Sequence, residues 1–188
     1  QLEPENCLAH TRREHVKPTR QAWFPCACCP PNLARLIANL GSFIYTTTQE
    51  DSVETLSIHQ LIGSVWHSAT SKNKVQLSSK LPWEGEVQIA ADLEKDMVLR
   101  LRLPAYAREV TWSDGFTKPT VDDFGYYVLP LTAGKHHIKL TFPLEIELYA
   151  AHENVSADAG KFTVQRGPIV YCAEGVDQDF NLFQANLP

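Results

Sequence analysis

At 188 residues the chain has room for one domain, or two small ones, with a real core. Its 44% hydrophobic and 21% charged residues are those of a globular protein. A net charge of −5 without a basic run offers no footprint for nucleic acid, and no apolar stretch is long enough to span a membrane.

Residues 1–29 are polar and show no period in either register. His10, Arg12, Arg13, His15, Lys17 and Arg20 give them local positive charge that reads as solvated surface. The chain opens on Gln1, carries no signal peptide, and stops just after a strand-like region, as an excerpt from a longer protein would.

Three of the five cysteines then fall within four residues, Cys26-Ala27-Cys28-Cys29, directly before Pro30-Pro31-Asn32. Leu33, Leu36, Ile37 and Leu40 recur at helical spacing, so a helix with one buried face is predicted at about 31–41. Pro30 and Pro31 suit its first turn and Gly41 its end. Because Cys29 precedes a proline, an extended backbone is predicted there. The positive end of the helix dipole and its unsatisfied N–H groups would then favour charged sulfur at Cys28 and Cys29.

Thiolate is both a zinc ligand and a nucleophile. The competing reading is ordinary buried thiols, since cysteine packs as a small hydrophobe. Adjacent cysteines close a disulfide only with strain, and pairing with Cys7 or Cys172 would need an oxidising compartment. Unpaired thiols suit a reducing one. No Cys-x2-Cys pair follows downstream, so a metal here needs ligands from elsewhere.

From Phe43 onward the pattern is of strands. Phe43–Thr48 is aromatic and β-branched; Thr55–Leu61 and Val65–Ser68 are split by Gly63. Val75 and Leu77, then Val87, Ile89 and Ala91, alternate with polar neighbours. Met97, Leu99, Leu101 and Leu103 alternate with Val98, Arg100 and Arg102, the clearest half-buried strand of the chain. Val110–Trp112 runs into a hairpin-type turn at Ser113-Asp114-Gly115. Tyr126–Leu131, His137–Phe142 and Ile146–Tyr149 continue the pattern, and Lys161–Cys172 reads as two strands broken at Gly167-Pro168. Short strands at close spacing predict a mainly β chain, a jelly-roll-like β-sandwich.

Trp66, Trp83 and Trp112 could stack on sugars, but packing is the better account of indole rings. Asp122-Asp123 reads as a solvated turn. Glu145 and Glu147 are expected on an exposed face opposite Ile146 and Leu148, and His136-His137 has no ligand partner at useful spacing.

Two groups of motifs resemble glycoside hydrolase family 127, the β-L-arabinofuranosidases and their relatives. One is Cys28-Cys29-Pro30-Pro31-Asn32-Leu33-Ala34-Arg35 with Gly41-Ser42-Phe43-Ile44-Tyr45-Thr46. The other comprises Pro82-Trp83-Glu84-Gly85, Leu101-Arg102-Leu103-Pro104-Ala105-Tyr106-Ala107 and Gln165–Glu174. The resemblance implies a short helical remnant of an (α/α)6 catalytic barrel at residues 1–43, a β-sandwich at 44–149, and the start of a second β-domain at 150–188.

It also implies chemistry. A zinc-coordinated cysteine attacks the anomeric carbon and a glutamate serves as acid/base, in place of the usual carboxylate pair. By position Cys28 would be the nucleophile, and Cys28 and Cys29 would ligate Zn2+. The acid/base and the remaining ligands, a glutamate and a further cysteine, would precede this chain. Residues 1–188 alone are then expected to be inactive, while the substrate of the parent would be an arabinofuranoside-type oligosaccharide or glycan. Cys26 receives no family role. The alternative is a non-catalytic β-sandwich module that binds glycans or packs on a neighbouring domain.

Overall fold

A computed structural model describes residues 28–113, 119–173 and 179. Two helices come first, α1 (Cys29–Ala38) and, after a turn at Asn39-Leu40, the single-turn α2 (Gly41–Ile44). Gly41 thus opens a second helix instead of closing the first. Cys29 is the first helical residue, which corrects the extended backbone expected before Pro30. Proline is tolerated in the first turn, and the turn that begins at Cys28 holds the chain helical, with Asn32 N–H donating to Cys28 O at 3.3 Å.

The β-rich remainder follows the predicted strands closely. One five-stranded sheet orders β1 (Tyr45–Glu50), β2 (Val53–Ile58), β6 (Met97–Arg102), β9 (Tyr126–Leu131) and β8 (Thr120–Val121). The other orders β3 (Ser64–His67), β4 (Lys74–Ser79), β5 (Glu86–Leu93), β10 (Gly134–Thr141) and β7 (Thr111–Trp112). All pairings in both are antiparallel except β2 with β6, where the chain returns from the second sheet to the first. The hairpin turn expected at Ser113-Asp114-Gly115 falls largely on residues 114–118, outside the described residues.

Alternation explains the core. In β6, Met97, Leu99 and Leu101 are buried while Arg100 and Arg102 face out. They meet Leu56 and Ile58 of β2 and Leu129 of β9 in their own sheet, and Val75, Ile89, Ile138 and Leu140 from the opposite one. Two inward faces of aliphatic side chains make a sandwich, as the sequence predicted.

Polar residues set the ends. Asn73 is 1% exposed and fastens the β3–β4 turn to the β5–β6 turn. Its Oδ1 accepts the Glu94 and Lys95 N–H groups at 2.8 and 3.0 Å, and its Nδ2 donates to Lys95 O at 3.1 Å. On the outer face of the first sheet, Asp122 accepts from Arg100 Nε at 2.8 Å and from the Phe124 and Tyr126 amides. The expected solvated turn is therefore an ion-paired one, because its side chain reaches across the edge of the sheet to β6.

Glu86 accepts from Lys139 Nζ at 2.9 Å, Lys80 Nζ at 3.2 Å and Gln88 Nε2 at 3.1 Å, and these donors bring its carboxyl down to about 2. A depressed carboxyl stabilises the fold above its unfolded value of about 4.5, and that contribution fades as pH falls to about 2. The thermal midpoint of Glu86→Gln should lie below the parent's at neutral pH and converge with it across that window. Parallel curves would contradict the assignment.

A third sheet is separate: β11 (Ile146–Ala150), β12 (Phe162–Arg166) and β13 (Ile169–Tyr171). The predicted break at Gly167-Pro168 is its β12–β13 turn. Ile146–Tyr149 pairs here and not in the sandwich. The faces of β11 are also the reverse of those expected: Ile146 and Leu148 are exposed, whereas Glu147 is half-buried, paired with Arg108 at 2.8 Å and bonded by Tyr149 Oη at 2.6 Å. Alternation locates two faces but not which of them a neighbour covers.

Candidate functional site

The thiol pair lies at the N-terminus of α1, with Cys28 as the capping residue and Cys29 in the first turn. Both side chains are exposed and their sulfurs are 3.6 Å apart. Pro30 and Pro31 carry no N–H and the Asn32 amide is spent on Cys28 O. The helix end therefore offers the sulfurs its dipole, not the nest of free amides expected from the sequence.

The spacing fits a shared metal ion. Two thiolates on a tetrahedral zinc, each at about 2.3 Å, sit roughly 3.8 Å apart. Rotamer adjustment alone covers the small difference from 3.6 Å. No group of three His, Cys, Asp or Glu side chains gathers anywhere among the described residues, so no complete metal site forms there. Cys26 lies outside the described residues.

The apolar stripe of α1 is not buried as predicted: Leu33, Leu36 and Ile37 are 58%, 52% and 62% exposed, and Phe43 of α2 is 54% exposed. The helical period was read correctly; the surface that would cover it is not among the described residues. Contact with the sandwich begins at Ile44, which is buried and accepts the His59 N–H at 2.8 Å.

Beside this junction lies a cleft of about 300 Å3, lined by His59, Gln60, Leu61, Pro82, Arg102 and Tyr106 among others. Its size is at the lower end for small-molecule sites. Thr46 Oγ1 and Tyr126 Oη engage the two ring nitrogens of His59 at 2.9 and 2.7 Å. Burial, with the charges of Arg100 and Arg102, pushes this imidazole below its ordinary range. The sequence reading gave these residues no role, because they come from the segment after β2, the β4–β5 connection, the end of β6 and the segment after it, and only the fold unites them.

Of the tryptophans, Trp66 and Trp112 pack against the core as expected, Trp112 with Tyr127 at 5.5 Å between ring centres, while Trp83 is 70% exposed. His136 Nε2 is bonded to Thr132 O at 2.7 Å, and among the described residues no ligand set forms around it. No helix among the described residues is long and apolar enough to cross a membrane.

Residues 146–188 match the model of the glycoside hydrolase family 127 C-terminal domain. The chain is 35% identical, over 96% of its length, to a non-reducing end β-L-arabinofuranosidase of Bifidobacterium longum subsp. longum. It spans about 28% of that relative. Among solved structures, a family 127 β-L-arabinofuranosidase from Geobacillus stearothermophilus T6 superimposes with a TM-score of 0.78 at 38% identity, over 96% of this chain and 29% of that one. A second family 127 β-arabinofuranosidase gives 0.73 at 25% identity, over 88% and 29%. Over nearly its whole length the chain is similar to glycoside hydrolase family 127 proteins, and its residues 146–188 match that family's C-terminal domain.

Proposed function

We propose that this chain supplies the nucleophile and two zinc ligands of a retaining β-L-arabinofuranosidase. The observation that carries the reading is the pair of exposed sulfurs 3.6 Å apart at the start of α1, in a chain 35% identical to a β-L-arabinofuranosidase. In this reading residues 1–43 close the catalytic helical domain. The apolar stripe of Leu33, Leu36 and Ile37 packs inside that domain, and the sandwich buttresses it from Ile44 onward. A second β-domain then begins at Ile146, where the third sheet and the family match both start.

Cys28 acts as thiolate. Its sulfur attacks the anomeric carbon, a C–S bond forms, and the C–O bond to the leaving group breaks as a carboxylic acid protonates the departing oxygen. The resulting carboxylate then takes a proton from water, whose oxygen displaces the Cys28 sulfur. Two inversions return the original configuration. Cys29 would serve only as a ligand of the bound metal, beside the nucleophile. Bound zinc would keep both thiols deprotonated at neutral pH and make sulfur a better leaving group in the second step. In this reading, as the family resemblance implies, the carboxylic acid and the other two ligands precede residue 1, so the 188 residues alone should not turn over substrate.

The whole protein should hydrolyse an aryl β-L-arabinofuranoside and, by proton NMR at early times, release the β-anomer first. Early appearance of the α-anomer, or no turnover with zinc supplied, would refute the reading.

A further inference from the structure

Strand β2 places Glu54, Leu56 and Ile58 on one face, and that face points into the sandwich. Leu56 and Ile58 are core; Glu54, at 7% exposure, is an acid in a core position. Its Oε1 accepts from Ser68 Oγ at 2.8 Å, but its Oε2 is buried with no hydrogen-bond partner. Buried carboxylate oxygens are costly unless paired, hydrogen-bonded or bound to a metal.

Glu54 lines a cavity of about 50 Å3 at one end of the sandwich, together with Gln49, Ser52, Thr70, Ser71, Asn73, Asp96 and one cationic residue, Lys95. That is room for an ion and a water or two, not for an organic ligand. Three turns meet there: Asp51-Ser52, residues 68–73, and residues 94–96. They are already tied together. Ser68 Oγ, which donates to Glu54, accepts the Thr70 and Ser71 amides, and Asn73 fastens the second turn to the third. Asp96 uses Oδ1 to accept the Ala133 N–H at 2.7 Å. Its side chain makes no ion pair among the described residues.

We propose that this cavity binds a calcium ion, with Glu54 Oε2 as its central ligand and Asp96 as the second carboxylate. The donors on offer are oxygens of carboxylates, hydroxyls and an amide, which suit a hard cation; the thiol and imidazole ligands that select zinc are missing from this lining. Irregular oxygens from several turns suit calcium, which accepts six to eight ligands in loose geometry, better than magnesium, which demands a near-ideal octahedron. The ion would pin the three turns and neutralise the inward acid. This site is independent of the thiol pair and of the glycosidase reading.

The test is calcium titration into the whole zinc-replete protein, read by calorimetry and by thermal midpoint. About 1 mM calcium should raise the midpoint by roughly 5 °C, with little response to equal magnesium. Glu54→Gln should abolish the response. Asp96→Asn, at an exposed position whose amide contact the asparagine oxygen preserves, should weaken binding about tenfold and keep the fold. No heat and no shift up to about 10 mM calcium, or equal shifts with magnesium, would overturn the proposal. So would a calcium response that survives Glu54→Gln. If Glu54→Gln does not fold, unchanged calcium affinity in Asp96→Asn overturns it as well.

Discussion

Cys28→Ser should lower kcat of the whole protein on β-L-arabinofuranosides by about four orders of magnitude or more, since it removes the atom that forms the covalent bond. Four decades correspond to about 5.4 kcal/mol of lost transition-state stabilisation. A serine hydroxyl is neither ionised at neutral pH nor a good zinc ligand. The variant should still fold, since Cys28 makes no side-chain capping bond to its helix. Cys29→Ser should fail differently. It leaves the nucleophile in place but weakens metal retention, so part of its activity should return when zinc is added in excess. Steady-state kinetics with and without added zinc separate the two. Turnover of Cys28→Ser within about tenfold of the parent would remove Cys28 from the chemistry.

Gly85→Ala should be the most damaging single methyl in the described structure. A Cβ at Gly85 would stand 2.0 Å from Phe142 O and 2.8 Å from Phe142 Cδ2. The first contact is with backbone, which cannot rotate away. Nor can the strands separate without loss, because Phe142 N–H donates to Gly85 O at 2.9 Å and Phe142 is itself core. Overpacking together with the broken hydrogen bond should cost about 3 kcal/mol or more, which for a chain of this size lowers the thermal midpoint by roughly 6–12 °C. Gly41→Ala is the control: nothing lies within 4 Å of its Cβ position and its backbone is helical. It should be neutral or slightly stabilising. A fall below about 2 °C for Gly85→Ala would show that the turn at Pro82–Gly85 is looser than its contacts indicate.

What the sequence revealed depended on how local the deciding physics was. The inward face of β6 was legible because Met97, Leu99 and Leu101 alternate with arginines, and both faces of that strand obey the pattern. The order of strands was not. The parallel pairing of β2 with β6 joins segments about forty residues apart and has no signature in either. Where burial depends on a neighbour, period alone failed. The helical stripe of Leu33, Leu36 and Ile37 has the right spacing but finds no cover among the described residues, and β11 turns Glu147, not Ile146, towards cover. Glu54 could have been found. An acid in phase with Leu56 and Ile58 breaks the inward pattern of β2, and such a break in a core position marks either a network or a ligand.

The thiol pair was visible from cysteine spacing alone, and its resemblance to family 127 motifs fixed the chemical expectation. The exposure of the sulfurs and their separation required coordinates. So did the loss of the free-amide argument, since Pro30, Pro31 and the Asn32–Cys28 bond leave the dipole as the helix's contribution.

Zinc K-edge X-ray absorption on the whole protein, compared with Cys28→Ser and Cys29→Ser, addresses the shared metal directly. One zinc per chain with a sulfur shell at about 2.3 Å is the predicted result, each substitution removing one sulfur from that shell. A spectrum without sulfur neighbours, or one that neither substitution alters, would contradict it.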